Sequence, residues 1–151
     1  MPTQIIVLKT DTFEIQRQKI NLIGSDVYDI LTSEIVLDKV NIDDVSIIDT
    51  SSVVDVSGSQ FVADSFATSD FRTTKYLVQV QETGSPNFYS TEVFIMHDGT
   101  EVHMTQYATL YTTSSPVSSI EADIDSGNVR LLITPSVSNT TTKISRISLT
   151  A

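Results

Sequence analysis

The stretch that decides the fold is Thr91-Glu92-Val93-Phe94-Ile95-Met96-His97-Asp98-Gly99-Thr100-Glu101-Val102-His103-Met104-Thr105-Gln106-Tyr107. Two alternating runs flank an Asp-Gly pair, the short-range pattern most typical of a β-hairpin. A type I′ turn needs positive φ at both central residues, and Asp-Gly supplies it cheaply. A two-residue turn at Asp98-Gly99 would pair His97 with Thr100, Ile95 with Val102 and Val93 with Met104. Those pairs then share one pleat face, while Phe94 with His103 and Met96 with Glu101 take the other. The hairpin is expected to have one core face and one mixed face.

Outward from the hairpin the same period of two continues. Tyr76, Val78 and Val80 alternate with Leu77, Gln79 and Gln81 as far as Gly84-Ser85-Pro86. Downstream, Ser114-Ser115-Pro116 breaks the chain, and Ile120, Ala122 and Ile124 alternate with polar neighbours. Asp125-Ser126-Gly127-Asn128 then turns into Val129–Thr134, Pro135 ends that strand, and Thr142–Leu149 supplies the last. Closely spaced strands with polar turns predict a mainly β chain, a β-sandwich or jelly-roll-like module over 71–151.

Two further zones precede it. Residues 26–70 are rich in β-branched residues and aspartate, and are read as short strands that include Val40/Ile42 and Val54/Val56. Asp43-Asp44, Thr50-Ser51-Ser52 and Ser57-Gly58-Ser59 serve as their turns. Residues 1–25 form an arm. There Asp11 with Glu14 reads as a capping box, and Phe13, Ile20 and Ile23 make a narrow helical stripe ending at Gly24. About three turns of helix are marginal alone, so this stripe is expected to dock on something.

Composition narrows the function. The 151 residues carry a net charge of −10 and no cysteine, which removes disulfides and thiolate metal sites. Residues 26–70 hold ten acidic residues against Lys39 alone. Nucleic acid would be repelled, and no basic stripe with interleaved aromatics offsets this. No apolar run approaches the roughly 20 residues of a membrane span, and the N-terminus lacks a basic-then-apolar leader pattern, so a soluble chain is expected without membrane partners.

A search for chemistry finds little. His97 and His103 fall on opposite faces of the hairpin, so they do not ligate one metal together. The acidic pairs Asp43-Asp44 and Asp123/Asp125 lack the glycine-containing loop of a calcium site. The glycines are scattered singly and form no phosphate loop. No catalytic residue, metal or cofactor is therefore expected, and the chain reads as a non-enzyme. Tyr107 and Tyr111 are candidate glycan contacts, because amphipathic rings stack on sugar faces; the competing reading is that they fill the sandwich.

The run Ser69–Val80, with Thr91-Glu92-Val93, His97-Asp98-Gly99-Thr100, Gln106-Tyr107-Ala108, Gly127–Leu132 and Thr134-Pro135, resembles a β-module of tailed-phage virion proteins, especially those of marine cyanophages. Thr10–Glu14 and Arg17–Asn21 are similar to the leading segment of such structural and fibre-like proteins. The resemblance implies a virion component with other virion proteins as partners, either the major capsid protein or tail components. It further implies a homo-oligomer, with a trimer favoured. A negative surface suits an outward-facing part, since an inward one would meet packaged DNA.

The leading expectation is a capsid-surface decoration protein, favoured by small size. The alternative is a tail or fibre appendage with a carbohydrate-binding module. Phe13, Arg17 and Ile20 are expected to anchor the chain, with Val40, Ile42, Val54 and Val56 in contacts between subunits.

Overall fold

The computed structural model of the chain describes residues 39–55 and 57–151. The expected helix over 11–24, with Phe13, Arg17 and Ile20, lies outside the described residues, as does Val56. Nine strands follow in chain order: β1 (Lys39–Ile42), β2 (Ser46–Asp55), β3 (Phe61–Ala67), β4 (Phe71–Glu82), β5 (Phe88–His97), β6 (Val102–Tyr111), β7 (Ser118–Asp125), β8 (Asn128–Pro135) and β9 (Thr140–Thr150). Every pairing is antiparallel. A six-stranded sheet runs β1-β2-β9-β4-β5-β6, and a three-stranded sheet runs β3-β8-β7. The described residues thus form the expected β-sandwich.

Period-two alternation builds the core. Thr74, Tyr76, Val78 and Val80 of β4 are buried, as are Tyr89, Thr91, Val93, Ile95 and His97 of β5. Val129, Leu131 and Ile133 of β8 are fully enclosed and supply the facing layer. Side chains one residue out of phase, such as Leu77, Phe94 and Met96, stay exposed on the outer face of the large sheet.

The deciding hairpin keeps its faces but changes its register. His97 pairs with Val102, Ile95 with Met104 and Val93 with Gln106, two residues beyond the expected partners. Asp98 is the reason. Its Oδ1 accepts from the Thr100 N–H at 2.8 Å, the Thr100 hydroxyl at 2.7 Å and the Glu101 N–H at 2.8 Å. Those donors are lost to the ladder, so Asp98–Glu101 becomes a four-residue loop. A slip of two leaves every side chain on its own face, whereas a slip of one would have inverted them all.

Two readings of the acidic zone are corrected. Thr50-Ser51-Ser52 is no turn but the middle of β2, paired with Ser145, Ile144 and Lys143 of β9. Thr and Ser are tolerated there because their backbone ladder is complete and β propensity favours Thr. The strand Phe61–Ala67 had no counterpart in the sequence reading, because a bulge between Val62 and Asp64 interrupts its alternation. Asp43-Asp44 does form a turn, both residues at positive φ.

His97 is structural. It is buried at the hairpin end, and its Nε2–H donates to the Phe71 carbonyl at 2.6 Å. His103 pairs with Met96 on the outer face, so the two imidazoles do look opposite ways.

Leu131, enclosed between the sheets, tests this core. Leu131→Ala is expected to cost about 2–5 kcal/mol. A urea titration should show a lowered midpoint with an unchanged slope.

Candidate functional site

Three places stand out once the strands are laid down: an ionic junction inside the sandwich, an aromatic groove at the end of β6, and the outer face of the large sheet. The junction centres on Arg146, on the inward side of β9 and almost wholly buried. Its Nη1 donates to Asp64 Oδ2 at 2.7 Å, and its Nη2 donates to Asp49 Oδ2 at 2.8 Å. The guanidinium also lies 5.5 Å from the Phe66 ring centroid and 5.4 Å from that of Phe71. Beside it the Tyr76 hydroxyl is enclosed without a hydrogen bond of its own. Burial, and then the neighbouring Asp64 carboxylate, push the Tyr76 phenol far above its ordinary range.

This junction brings together two carboxylates that the sequence does not link. They come from β2 and β3, in different sheets, and the Ser51 hydroxyl donates to the Ala63 carbonyl at 3.1 Å beside them. The one available signal was parity. Arg146 shares a face with Thr142, Ile144 and Ser148, and a charge on a buried face requires partners. Acid–base chemistry by a carboxylate pair needs two environments that separate the groups. Here both are bound to one cation, and the hollow beside them is only about 50 Å³. The arrangement ties the sheets together.

The second place is β6. Beyond Val102 every residue of this edge strand is exposed. Edge strands are ordinarily protected by lysine, proline, shortness or a bulge. β6 has ten residues and no lysine, arginine, aspartate, glutamate or proline; its one safeguard is a bulge, where the ladder with β5 shifts between Ser90 and Glu92. Ala108 takes φ 52° there. The buried Thr91 hydroxyl holds the bulge by donating to the Tyr107 carbonyl at 2.9 Å, and the Thr109 hydroxyl, 2.9 Å away, donates in turn to Thr91.

That bulge separates the two predicted glycan contacts. Tyr107 pairs with Glu92 on the outer face, whereas Tyr111 pairs with the buried Tyr89. Four residues apart in a regular strand they would share a face; here they do not form one platform. Tyr111 instead lines a shallow groove of about 140 Å³ with Phe88, Ser90, Leu110 and Thr112. Tyr107 joins the Lys75–Glu92 ion pair, 2.9 Å long, with the Lys75 ammonium 5.9 Å from its ring centroid. Lys75, and then the Tyr107 hydroxyl, hold the Glu92 carboxyl below its ordinary range.

The third place gathers the described members of the expected subunit interface. Val40 pairs with Ile48, Ile42 with Ser46 and Val54 with Thr141, all on the outer face of the large sheet. Ile42 and Val54 are exposed there.

No family model matches the chain, and no curated protein matches it by sequence. Among solved structures it is similar to the Acinetobacter baumannii phage AM24 tailspike protein, 9% identical, with 70% of this chain and 26% of that chain covered and a TM-score of 0.45. It is also similar to a tailspike of the Acinetobacter baumannii bacteriophage Fri1, a capsular polysaccharide depolymerase, at 9% identity, with 83% and 21% covered and a TM-score of 0.47. A third is the tailspike of Acinetobacter phage vB_ApiP_P1, at 15% identity, 80% and 25% covered, TM-score 0.49. The chain spans about a quarter or less of the length of these tailspikes. All three are phage tailspike proteins, capsid-surface decoration has no counterpart among them, and at this identity the likeness is one of fold. The expectation of a non-enzyme is corrected by the same finding, since the Fri1 tailspike is an enzyme.

The junction makes two predictions. Arg146→Ala strands Asp49 and Asp64 without their cation and should cost about 3–5 kcal/mol, read from denaturant midpoints. Because the folded Tyr76 phenol is raised, its contribution is intact below the ordinary phenol range near pH 10 and declines as pH rises through it. Thermal melts between neutral pH and pH 11 should therefore fall less steeply for Tyr76→Phe than for the wild type. At neutral pH that variant should match or slightly exceed the wild type, having lost an unpaired buried hydroxyl.

Proposed function

We propose that this chain is part of a tail appendage of a tailed phage, of tailspike or fibre kind, and that it engages bacterial surface polysaccharide at the groove lined by Phe88, Leu110 and Tyr111. The observation that carries the reading is β6, a long edge strand without charge, left uncovered and ending in an apolar groove. Sugars offer such a site flat apolar ring faces to stack on aromatics, and hydroxyls to meet the polar rim of Ser90 and Thr112.

The resemblance to virion proteins supports the same reading. Its stretches fall on the framework that builds the edge: Ser69–Val80 runs into β4, His97–Thr100 enters the Asp98 loop, and Gln106-Tyr107-Ala108 leads into the bulge. A chain of net charge −10 with an uncharged edge also suits recognition of a ligand by shape and stacking more than by charge.

Two measurements test the proposal. Gold-labelled antibody on purified phage should decorate the tail; label spread over the head would overturn the appendage reading. On an array of bacterial capsular and lipopolysaccharide glycans the full chain should bind a subset. Tyr111→Ala and Phe88→Ala should each weaken that binding about tenfold or more, the scale of one to two kcal/mol per stacked ring. Tyr107→Ala, off the groove, should bind as the wild type does. Absence of binding, or binding indifferent to Tyr111 and Phe88, would overturn the groove assignment.

A further inference from the structure

The two outer faces of the sandwich differ in kind. That of the small sheet carries an ion-pair network, with Arg130 joined to both Asp123 and Asp125. This is how a strand face meets water. The outer face of the large sheet instead carries an apolar patch toward one end, among polar strand residues. Ile42, Leu77, Phe94, Met96, Ile147 and Leu149 stand between 41% and 52% exposed. The register makes them neighbours. Ile147 lies between Ile48 and Lys75 in the row that continues to Phe94, and Leu149 lies between Ser46 and Thr73 in the row that continues to Met96. Leu77 sits one row over, beside Glu92 and Tyr107.

We infer that this face is the contact between copies of the chain, sheet packed against sheet. Area supports it: six half-exposed side chains present on the order of 600 Å², so two copies together bury about 1,200 Å², where specific interfaces begin. Monomers rarely leave apolar patches larger than about 300–600 Å² in water. Charge selects a second copy as the occupant. The chain is strongly acidic, so copies repel each other over most surfaces. On the strand residues of this face, however, the only acid is Glu92, set against Lys75 and Lys143. Glu92 is already paired with Lys75 at 2.9 Å. The repulsion that keeps copies apart elsewhere is missing here. Two antiparallel sheets also pack face to face at about 10 Å with little adjustment, which a flat apolar patch suits better than a point ligand.

No residue of this patch lines the polysaccharide groove. Met96 and Phe88 are eight residues apart along β5, about 26 Å at strand rise, and Leu77, the patch residue nearest the groove, pairs with Glu92, two residues along β5 from Ser90. Neither proposal therefore depends on the other.

Sedimentation velocity of the full chain over a micromolar concentration series tests the inference. The wild type should associate. Leu77→Glu combined with Leu149→Glu, and separately Ile147→Lys, should raise the dissociation constant about a hundredfold or more, since like charges then meet across the contact. Circular dichroism and melting checks that these exposed substitutions leave the fold in place. Val62→Glu, on an exposed position of the small sheet, should associate as the wild type does. A wild type that stays monomeric at every concentration would overturn the inference and leave the face to a different partner. Association unaffected by the face variants, or equally reduced by Val62→Glu, would overturn it as well.

Discussion

Arg146 is the ionised side chain that the sandwich encloses, and the rest of the structure is arranged around accommodating it. Its strand, β9, lies between β2 and β4 in the large sheet. From there it reaches Asp49 within its own sheet and Asp64 across the core. A lone guanidinium in that position would be intolerable, and two carboxylates with two aromatic rings make it tolerable. The cost is that the inward side of β9 stays polar: Thr140, Thr142 and Ser148 are buried along with Arg146. Apolar cohesion is displaced toward β4, β5 and β8, where Val78, Val80, Val93, Leu131 and Ile133 meet. The core is thus divided into an ionic half, which fixes how the sheets align, and an apolar half, which supplies most of the burial.

Six strands cannot all be covered by three. The small sheet shelters the inward faces of β9, β4 and β5, and β6 extends past that cover with its residues exposed on both sides. At the opposite edge β1 is only four residues long, one of the common ways of protecting a sheet edge from unwanted pairing. The two edges are therefore treated differently, and the longer, uncharged one is the one that carries the groove. Mismatch between the sheets, more than any single residue, creates the available surface.

Alternation along β4, β5, β7, β8 and β9 was legible in the sequence, because there each side chain's burial follows its parity. The opposite placement of His97 and His103 followed from the same rule. Pairing partners were less legible, since Asp98 competes for backbone donors and widens the loop in a way that the Asp-Gly signal does not reveal. Thr50-Ser51-Ser52 misled because its composition is that of a turn, while its neighbours on β9 make it a strand. Arg146 and its partners are 82 and 97 residues apart. No local spacing marks them, and only the demand that a buried charge be paired hints that they meet.

What parity could not reveal traces to two bulges, each at an alanine. In β3 the register with β8 shifts across Ala63, so Asp64 pairs with Leu131 on the inner face. Strict alternation from Phe61, opposite Ile133, would have turned Asp64 outward and left Arg146 without its partner in the small sheet. In β6 the shift at Ala108 turns Tyr111 away from the face that Tyr107 holds. Strict alternation would have placed both tyrosines on the broad outer face, and Leu110, which pairs with Ser90, would have been turned off it. One inserted residue in each strand therefore turns Asp64 into the interior and exchanges Tyr111 for Leu110 on the outer face. Bulges commonly re-aim side chains in this way. A small residue suits Ala63, whose extra position is buried between the sheets.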